Sequence, residues 1–567
     1  MILKSERVFA VRILKNLMCP ARDGVTLATN VYLPEGAGAV PVILMRTPYG
    51  KRTSIREKPY SHYTMLVEAG YGVAVQDCRG TGISQGRMNL NAVNEHEDGY
   101  DVVEWLAKQD FCNGKIGMYG LSYFGFTQLA AAAQGPEHLR VICPFMTLGQ
   151  EPFGASLQQT LNLGHLFWAY GQLMEHADTY IPDEEKRREI IPVLQEHLKK
   201  LTDEAFQLPI NKNPAAMLQD VPLLDDYLDL VNGICDKDFW ESLHLPLRQE
   251  KINCAMLHGT GWLDVACDAT ISNYQAARAS APASEHTKLL IGPWTHGGEM
   301  PSMVDDIDFG QENSGESLDV HGMMKRFFDR YLRDEDTDCF PERVRYFVRG
   351  ENRWESAADW PPPEAKIICL QLTQEGFLTR QAPQSETYIT LLSDPMNPVP
   401  SAFTDSQGRK IMANWSEMAS REDVLTYQTE AFTKKTTVAG EICFKARLIP
   451  DVPDLDLVCR VLDVDERGRA VQLCAGLRRA RHRNGFLTDT FLQPGEEVML
   501  EVKCGNLANT FLPGHCLAIQ LCGSMYPAHN RNLHTVYSSE KDDSWQIAHS
   551  RLILGGTQAT ELLVPVL

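Results

Sequence analysis

The sequence predicts an α/β domain on a mainly parallel sheet, broken by a helical insertion and followed by an all-β region. Three observations predict it. Residues 1–150 alternate short apolar runs with amphipathic stretches. From about 151 to 250 no comparable run occurs, and apolar residues recur at helical spacing. Beyond about 336, apolar runs follow one another with only turn residues between them.

The expected strands of the first part are VTLATNVYL (25–33), VPVILM (40–45), YGVAVQD (71–77), KIGMYG (115–120) and LRVICPF (139–145). Helix-like stretches at 56–69, 95–109 and 126–134 lie between them. Apolar runs separated by amphipathic helices imply a parallel sheet covered on both faces. The first of these strands is amphipathic and should pair antiparallel. In the insertion, Leu157, Leu161, Leu166, Tyr170, Leu173 and Ala177 mark one helix face, and Pro182 and Pro192 interrupt the chain beyond it.

The strand pattern resumes at INCAMLHG (252–259) and TKLLIGP (287–293), then gives way to a helix-like GMMKRFFDRYL and the acidic linker RDEDTDCFPE. The expected division is therefore residues 1–150 with 251–335 for the α/β domain, 151–250 for a helical cap and 336–567 for the β-rich part. The runs of that last part, from VRYFVRG and AKIICLQLT to HCLAIQLCG, read as a β-sandwich.

Composition narrows the function. The 567 residues are 44% hydrophobic and 23% charged, an ordinary globular balance. A net charge of −20 opposes nucleic-acid and anionic-membrane partners, which need clustered positive charge. No apolar run approaches the ~20 residues of a membrane span, and charges break up the N-terminal MILKSERVFAVRILKNL too often for a signal peptide. The 15 cysteines form no C-x-x-C pair, and many sit in apolar runs, so a reduced, cytoplasmic compartment is expected. No metal or cofactor is expected. A homodimer is compatible with the sequence, which fixes no oligomeric state.

Two serines compete for a nucleophile elbow. Gly82-Ile83-Ser84-Gln85-Gly86 matches G-x-S-x-G letter for letter, whereas Gly120-Leu121-Ser122-Tyr123-Phe124-Gly125 places its second glycine one position late. An elbow needs its serine on a sharp turn from strand directly into helix. Ser122 follows KIGMYG and precedes the alanine-rich FTQLAAAA, a strong helix former. Ser84 lies seven residues past its strand in a glycine-rich loop. Ser122 is the expected nucleophile.

A serine hydroxyl needs a histidine to remove its proton and a carboxylate to orient that imidazole. In this fold class the chain order is Ser, then Asp or Glu, then His, at successive strand ends. INCAMLHGT runs into Gly261-Trp262-Leu263-Asp264, and TKLLIGP into Trp294-Thr295-His296. Asp264 and His296 are the expected partners, with Asp268 and His258 as their rivals.

With G-L-S-Y-F-G, G-W-L-D and G-P-W-T-H in place, the chain resembles the cocaine esterase / X-Pro dipeptidyl-peptidase (CocE/NonD) family of serine hydrolases. Arg46-Thr47-Pro48-Tyr49, Gln76-Asp77-Cys78-Arg79-Gly80 and Gly350-Glu351-Asn352-Arg353-Trp354 extend the resemblance over nearly the whole chain. It implies an α/β-hydrolase domain with an inserted helical cap and a C-terminal jelly roll. It also implies a catalytic triad of Ser122, Asp264 and His296, with an oxyanion hole made by the Tyr49 phenol and the backbone N–H of Tyr123. Asp77 and Arg79 read as a structural ion pair behind the site, since a buried arginine needs its acid.

Trp262, and Phe167 and Trp168 in the cap, are candidate apolar walls for substrate. The resemblance implies that members acting on α-amino acyl groups hold the free ammonium with carboxylates, which in the family's α-amino ester hydrolases directly follow the catalytic aspartate. Here those positions are Val265, Ala266 and Cys267, which points to an uncharged acyl group. The expected activity is hydrolysis of a small carboxylic ester or amide. X-Pro dipeptidyl-peptidase or α-amino ester hydrolase and β-lactam acylase activity is the alternative, and a glycan-binding β-domain with a vestigial hydrolase a remote one.

Overall fold

A computed structural model describes residues 11–567 apart from 52–61, 89–92, 149–163, 210–248, 297–302, 305–306, 402–413, several positions between 165 and 182, and a few short loop stretches. The N-terminal half is built on a ten-stranded sheet. Its strands are β1 (Val11–Pro20), β2 (Thr26–Pro34), β3 (Val40–Thr47), β4 (Gly72–Asp77), β5 (Cys112–Leu121), β6 (Leu139–Phe145), β7 (Ala255–Leu263) and β8 (Thr287–Thr295). After a two-stranded hairpin of β9 (Met303–Val304) and β10 (Ile307–Asp308), β11 (Val344–Val348) and β12 (Arg353–Ala357) complete the sheet in the order β1-β2-β4-β3-β5-β6-β7-β8-β11-β12.

The sheet runs parallel from β4 through β3 to β11, with antiparallel pairs at both margins. Every residue of GVAVQD in β4 is buried, as a strand covered on both faces requires. The covering helices are α1 (His62–Glu68), α2 (Glu95–Ala107), α3 (Tyr123–Ala132), then α5 (Cys267–Ser280) and α6 (Val320–Leu332) beyond the insertion. Within the insertion, α4 (Glu184–Phe206) is the long element. Acids Glu95, Glu97 and Asp98 in the first turn of α2 complement the positive end of its dipole.

Three expectations change. VRYFVRG is not the first strand of the β-rich part: its residues 344–346 pair with Leu289–Ile291 of β8, so the sheet extends past residue 336. The physical reason is that β8 would otherwise be an open parallel edge. Residues 11–17 of the N-terminal segment, considered above only as a leader, belong to β1, which pairs with β2. Pro192 does not interrupt the insertion but lies inside α4. Of the predicted helix face, Ala177 is buried; Leu157, Leu161, Leu166, Tyr170 and Leu173 lie outside the described residues, as does Pro182.

The C-terminal part is two antiparallel sheets around one core. One contains β13 (Lys366–Leu372), β14 (Leu378–Thr379), β15 (Thr387–Ser393), β17 (Thr436–Ile449), β20 (Val498–Phe511), β22 (Ala548–Leu554) and β23 (Glu561–Val566). The other orders β16 (Leu425–Gln428), β21 (Cys516–Cys522), β18 (Asp456–Val464) and β19 (Ala470–Arg479) as β16-β21-β18-β19. Phe444, Leu500 and Leu562 from the first meet Leu457, Val461 and Ile519 from the second, all essentially fully buried. This β-domain docks onto the start of α5, where Asp268 accepts hydrogen bonds from Asn506 N at 2.7 Å and Asn506 Nδ2 at 2.8 Å.

Candidate active site

Ser122 stands between β5 and α3 with φ 60° and ψ −127°, a strained conformation for a residue with a side chain. Its N–H donates to the Phe145 carbonyl at 3.0 Å, and Thr147 Oγ1 donates to its carbonyl at 2.9 Å. The late glycine has a steric reason. A Cβ at Gly125 would lie 2.7 Å from Thr147 Cβ and 3.0 Å from the Phe145 carbonyl, so Gly125 lets α3 approach β6. Gly120, at φ +139°, gives way to Phe124, whose Cβ would sit 2.4 Å from an added side chain.

Two later strand ends supply the partners. His296, just past β8, has Nε2 2.9 Å from Ser122 Oγ and Nδ1 2.7 Å from Asp264 Oδ1. Asp264 follows β7, its carboxylate fully buried. Oδ1 also accepts from the Ala266 N–H at 2.9 Å, and Oδ2 from Thr260 Oγ1 at 2.8 Å. Every oxygen of the carboxylate is thus held, and a hydroxyl, an imidazole and a carboxylate stand in one hydrogen-bonded row above the sheet.

Beside that row the Tyr49 phenol, on the loop after β3, is within hydrogen-bonding reach of the Ser122 side chain. Burial raises its pKa, so it stays a neutral donor. The Trp168 indole donates to the Tyr49 oxygen at 3.2 Å, and its ring stacks on Tyr123 at 5.8 Å. The Tyr123 side chain turns down, away from the row, and donates to Glu95 at 3.0 Å; Glu95 in turn pairs with the fully buried Arg46 at 2.5 Å. Tyr123 can therefore serve the row only through its backbone N–H at the start of α3. Among the described residues no group of His, Cys, Asp or Glu is arranged to hold a metal ion.

Two family models match the chain in tandem. The X-Pro dipeptidyl-peptidase (S15 family) model covers residues 23–298, and the X-Pro dipeptidyl-peptidase C-terminal non-catalytic domain covers residues 341–563. The chain belongs to the cocaine esterase / X-Pro dipeptidyl-peptidase family of serine hydrolases. Cocaine esterase of Rhodococcus sp. (strain MB1 Bresler) is 29% identical over 97% of this chain and 98% of that protein. An aminopeptidase from the marine sediment archaeon Thaumarchaeota archaeon has the same fold, with TM-score 0.83 at 22% identity over 100% of this chain and 98% of that one. An α-amino acid ester hydrolase superposes with TM-score 0.81 at 23% identity over the same shares of the two chains.

In this serine hydrolase the rival residues have other work. Ser84 is buried, donating to the Asp77 carbonyl at 2.7 Å and accepting from the Ala28 N–H at 2.8 Å. His258 lies inside β7, fully buried, with no hydrogen-bond partner on either ring nitrogen among the described residues, and burial lowers its pKa to about 3. Asp268 is the docking residue of the β-domain, its pKa raised by burial. Asp77 and Arg79 do not pair with each other. Asp77 takes Lys51 Nζ at 2.5 Å, and Arg79 takes Asp98 and Asp23, both at 2.6 Å, because the chain turns sharply between the two positions.

Of the expected apolar walls, Trp262 is a correction. Its indole donates to the Phe347 carbonyl at 2.6 Å and its ring meets Trp360 at 5.5 Å, so it belongs to the core beneath β11. Trp168 does reach the site, but as a hydrogen-bond donor to Tyr49. Phe167 lies outside the described residues. Sequence reasoning missed Thr147 and Thr260, which hold the serine turn and the aspartate. A threonine four residues before an acid is too common to carry a signal.

Proposed function

We propose that this enzyme hydrolyses carboxylic esters of small, uncharged acyl groups, with Ser122 as nucleophile, His296 as general base and acid, and Asp264 as the group that orients His296. The observation that carries this reading is the row of 2.9 Å and 2.7 Å hydrogen bonds ending on a serine in a strand-to-helix elbow. His296 Nε2 takes the Ser122 proton as Oγ attacks the acyl carbon. Negative charge develops on the carbonyl oxygen, where the Tyr49 O–H and the Tyr123 N–H receive it. The tetrahedral species collapses as His296 returns the proton to the leaving alcohol, and water repeats the sequence on the acyl-enzyme.

The acyl preference follows from the residues that border Asp264. Ala266 and Cys267 are buried and Val265 is 56% exposed, so the first side chain that the acid loop presents is apolar. The names of the archaeal aminopeptidase and the α-amino acid ester hydrolase favour a second reading, in which the substrate carries a free α-amino group. We further assign residues 1–150 and 251–335, with β11 and β12, to the hydrolase, 151–250 to a helical cap, and the two-sheet remainder to a jelly roll. No described helix is long and apolar enough to cross a membrane. Every described cysteine is a free thiol, which supports a cytoplasmic location.

A fluorophosphonate probe followed by peptide mapping tests the site. Label is expected on the Ser122 peptide and absent from Ser122→Ala; label on the Ser84 peptide overturns the assignment. A panel of neutral aryl esters, their α-amino analogues and X-Pro amides tests the substrate class. Strong preference for the charged substrates decides for the second reading.

A further inference from the structure

We propose that His176, in the helical insertion, is a positioning residue that holds the Tyr49 loop where the oxyanion needs its donor; this rests on the reading of Tyr49 given above. His176 is 5% exposed, and its Nε2 hydrogen-bonds the Pro48 carbonyl oxygen. A carbonyl only accepts, so Nε2 carries the proton. The next residue along the loop is Tyr49 itself.

His176 is eight residues beyond Trp168, with the buried Gln172 midway; the His176 backbone N–H donates to the Gln172 carbonyl at 3.0 Å, the bond of a helical turn, and a spacing of four is that of neighbours on one helix face. That face therefore grips two consecutive residues of the loop: the Trp168 N–H takes the Tyr49 phenol oxygen, and the His176 N–H takes the Pro48 carbonyl. The sheet side is fixed separately, by the Tyr49 N–H to Thr47 Oγ1 at 3.0 Å and the Lys51 N–H to Asp77 Oδ1 at 2.5 Å.

The two grips do different things. An indole N–H on one lone pair of the phenol oxygen leaves the hydroxyl proton directed elsewhere, with the Ser122 side chain beside it. The His176 bond fixes the peptide plane just before Tyr49. A turn of roughly ten degrees at Cα swings a phenol oxygen by about 1 Å, and a misplacement of that size can cost about 10²-fold in rate. Without His176 the Pro48 carbonyl would also be a buried acceptor with its donor removed.

The test is a double-mutant cycle between His176 and Tyr49 on the full chain, with a neutral aryl ester as substrate and phenylboronic acid as transition-state analogue. His176→Ala is expected to lower kcat by about 10- to 100-fold with KM within about threefold, and to weaken phenylboronic acid in the same proportion. His176→Gln, whose amide N–H reaches a carbonyl, should recover most of the loss. In a Tyr49→Phe background, His176→Ala should cost less than about twofold more. Should His176→Ala not fold, His176→Leu keeps the volume and removes the N–H, and carries the same expectations. An undiminished loss in the Tyr49→Phe background overturns the proposal, as does a rise in KM at constant kcat. Tyr49→Phe with wild-type kcat sinks the reading of Tyr49 itself, an outcome separate from a normal Tyr49 effect with a silent His176.

Discussion

In the proposed mechanism, replacing Asp264 with asparagine separates two things the carboxylate does for His296: choosing its tautomer and neutralising its charge. Oδ1 accepts from both His296 Nδ1 and the Ala266 N–H, while Oδ2 accepts from Thr260 Oγ1. A backbone N–H can only donate, so the asparagine carbonyl must occupy the Oδ1 position. Its amide nitrogen then faces Thr260, whose hydroxyl can rotate to accept. His296 keeps its proton on Nδ1, and Nε2 still faces Ser122 as a base. What is lost is the charge. A carboxylate about 4 Å from an imidazolium is worth ~4 kcal/mol at an effective dielectric of ~20. The imidazole is 37% exposed, so solvent trims this to roughly 3 kcal/mol, about 10²-fold in kcat/KM. Adding Thr260→Val removes the acceptor of the amide N–H but not the Ala266 N–H, which still holds the carbonyl at the Oδ1 position. The tautomer therefore persists, and the combined loss should stay near ~10²-fold rather than approach ~10⁴-fold. Initial rates on a neutral aryl ester between pH 6 and 9 measure both variants. A drop of less than about tenfold for Asp264→Asn would refute the electrostatic argument. A drop near ~10⁴-fold for either variant would refute the tautomer argument.

Three further outcomes are expected. Ser84→Ala should leave kcat unchanged and lower stability by about 1–3 kcal/mol in urea melts, because it strands the buried Ala28 N–H and Asp77 carbonyl that Ser84 bridges; lost activity with unchanged stability would contradict its structural role. His258 has a folded pKa of about 3, well below its ordinary 6.5, because it is buried. The unfolded chain therefore binds the extra proton first, and stability falls as pH drops from 6.5 toward 3. His258→Leu should flatten that acid slope in pH-dependent melts while leaving turnover intact, and an unchanged slope tells against it. Lys435, Arg353 and Thr510 hold the Glu351 carboxyl down at about 2 from 4.5, tying the β11–β12 turn to the β-domain. A depressed acid stabilises above its unfolded pKa, so the Tm gap between wild type and Glu351→Gln should be full at neutral pH and close as pH falls from 4.5 toward 2. A pH-independent gap would mean that the contact is not ionic.

The legibility of the fold and site tracked the range of the interactions involved. The elbow was readable because its signal is local: a strand, one serine and an alanine-rich helix in immediate succession. Asp264 and His296 were readable as strand-end residues in the required order, although the helical insertion stretches the gap between Ser122 and Asp264. Failures came where a residue's partner lies far away in sequence. Trp262 looked like a pocket wall because nothing nearby shows that Phe347 and Trp360 surround it. Asp77 and Arg79 looked like a pair because they are two residues apart, whereas their charges are met by Lys51 and by Asp98 with Asp23. β11 was assigned to the wrong sheet because an apolar run states that it is buried, not which neighbour buries it.

By itself the sequence determined the succession of strands and helices, the serine that can occupy an elbow, and the order of its two partners. Those depend on periodicity, propensity and turn chemistry within a dozen residues. Tertiary structure decided the rest: that Thr260 and Ala266 lock the aspartate, that Trp168 and His176 grip the Tyr49 loop, and that Asp268 docks the β-domain rather than serving His296. Each of these is a hydrogen bond whose two ends meet only after the sheet has closed. A donor's identity is written in the chain, but its acceptor is chosen by packing.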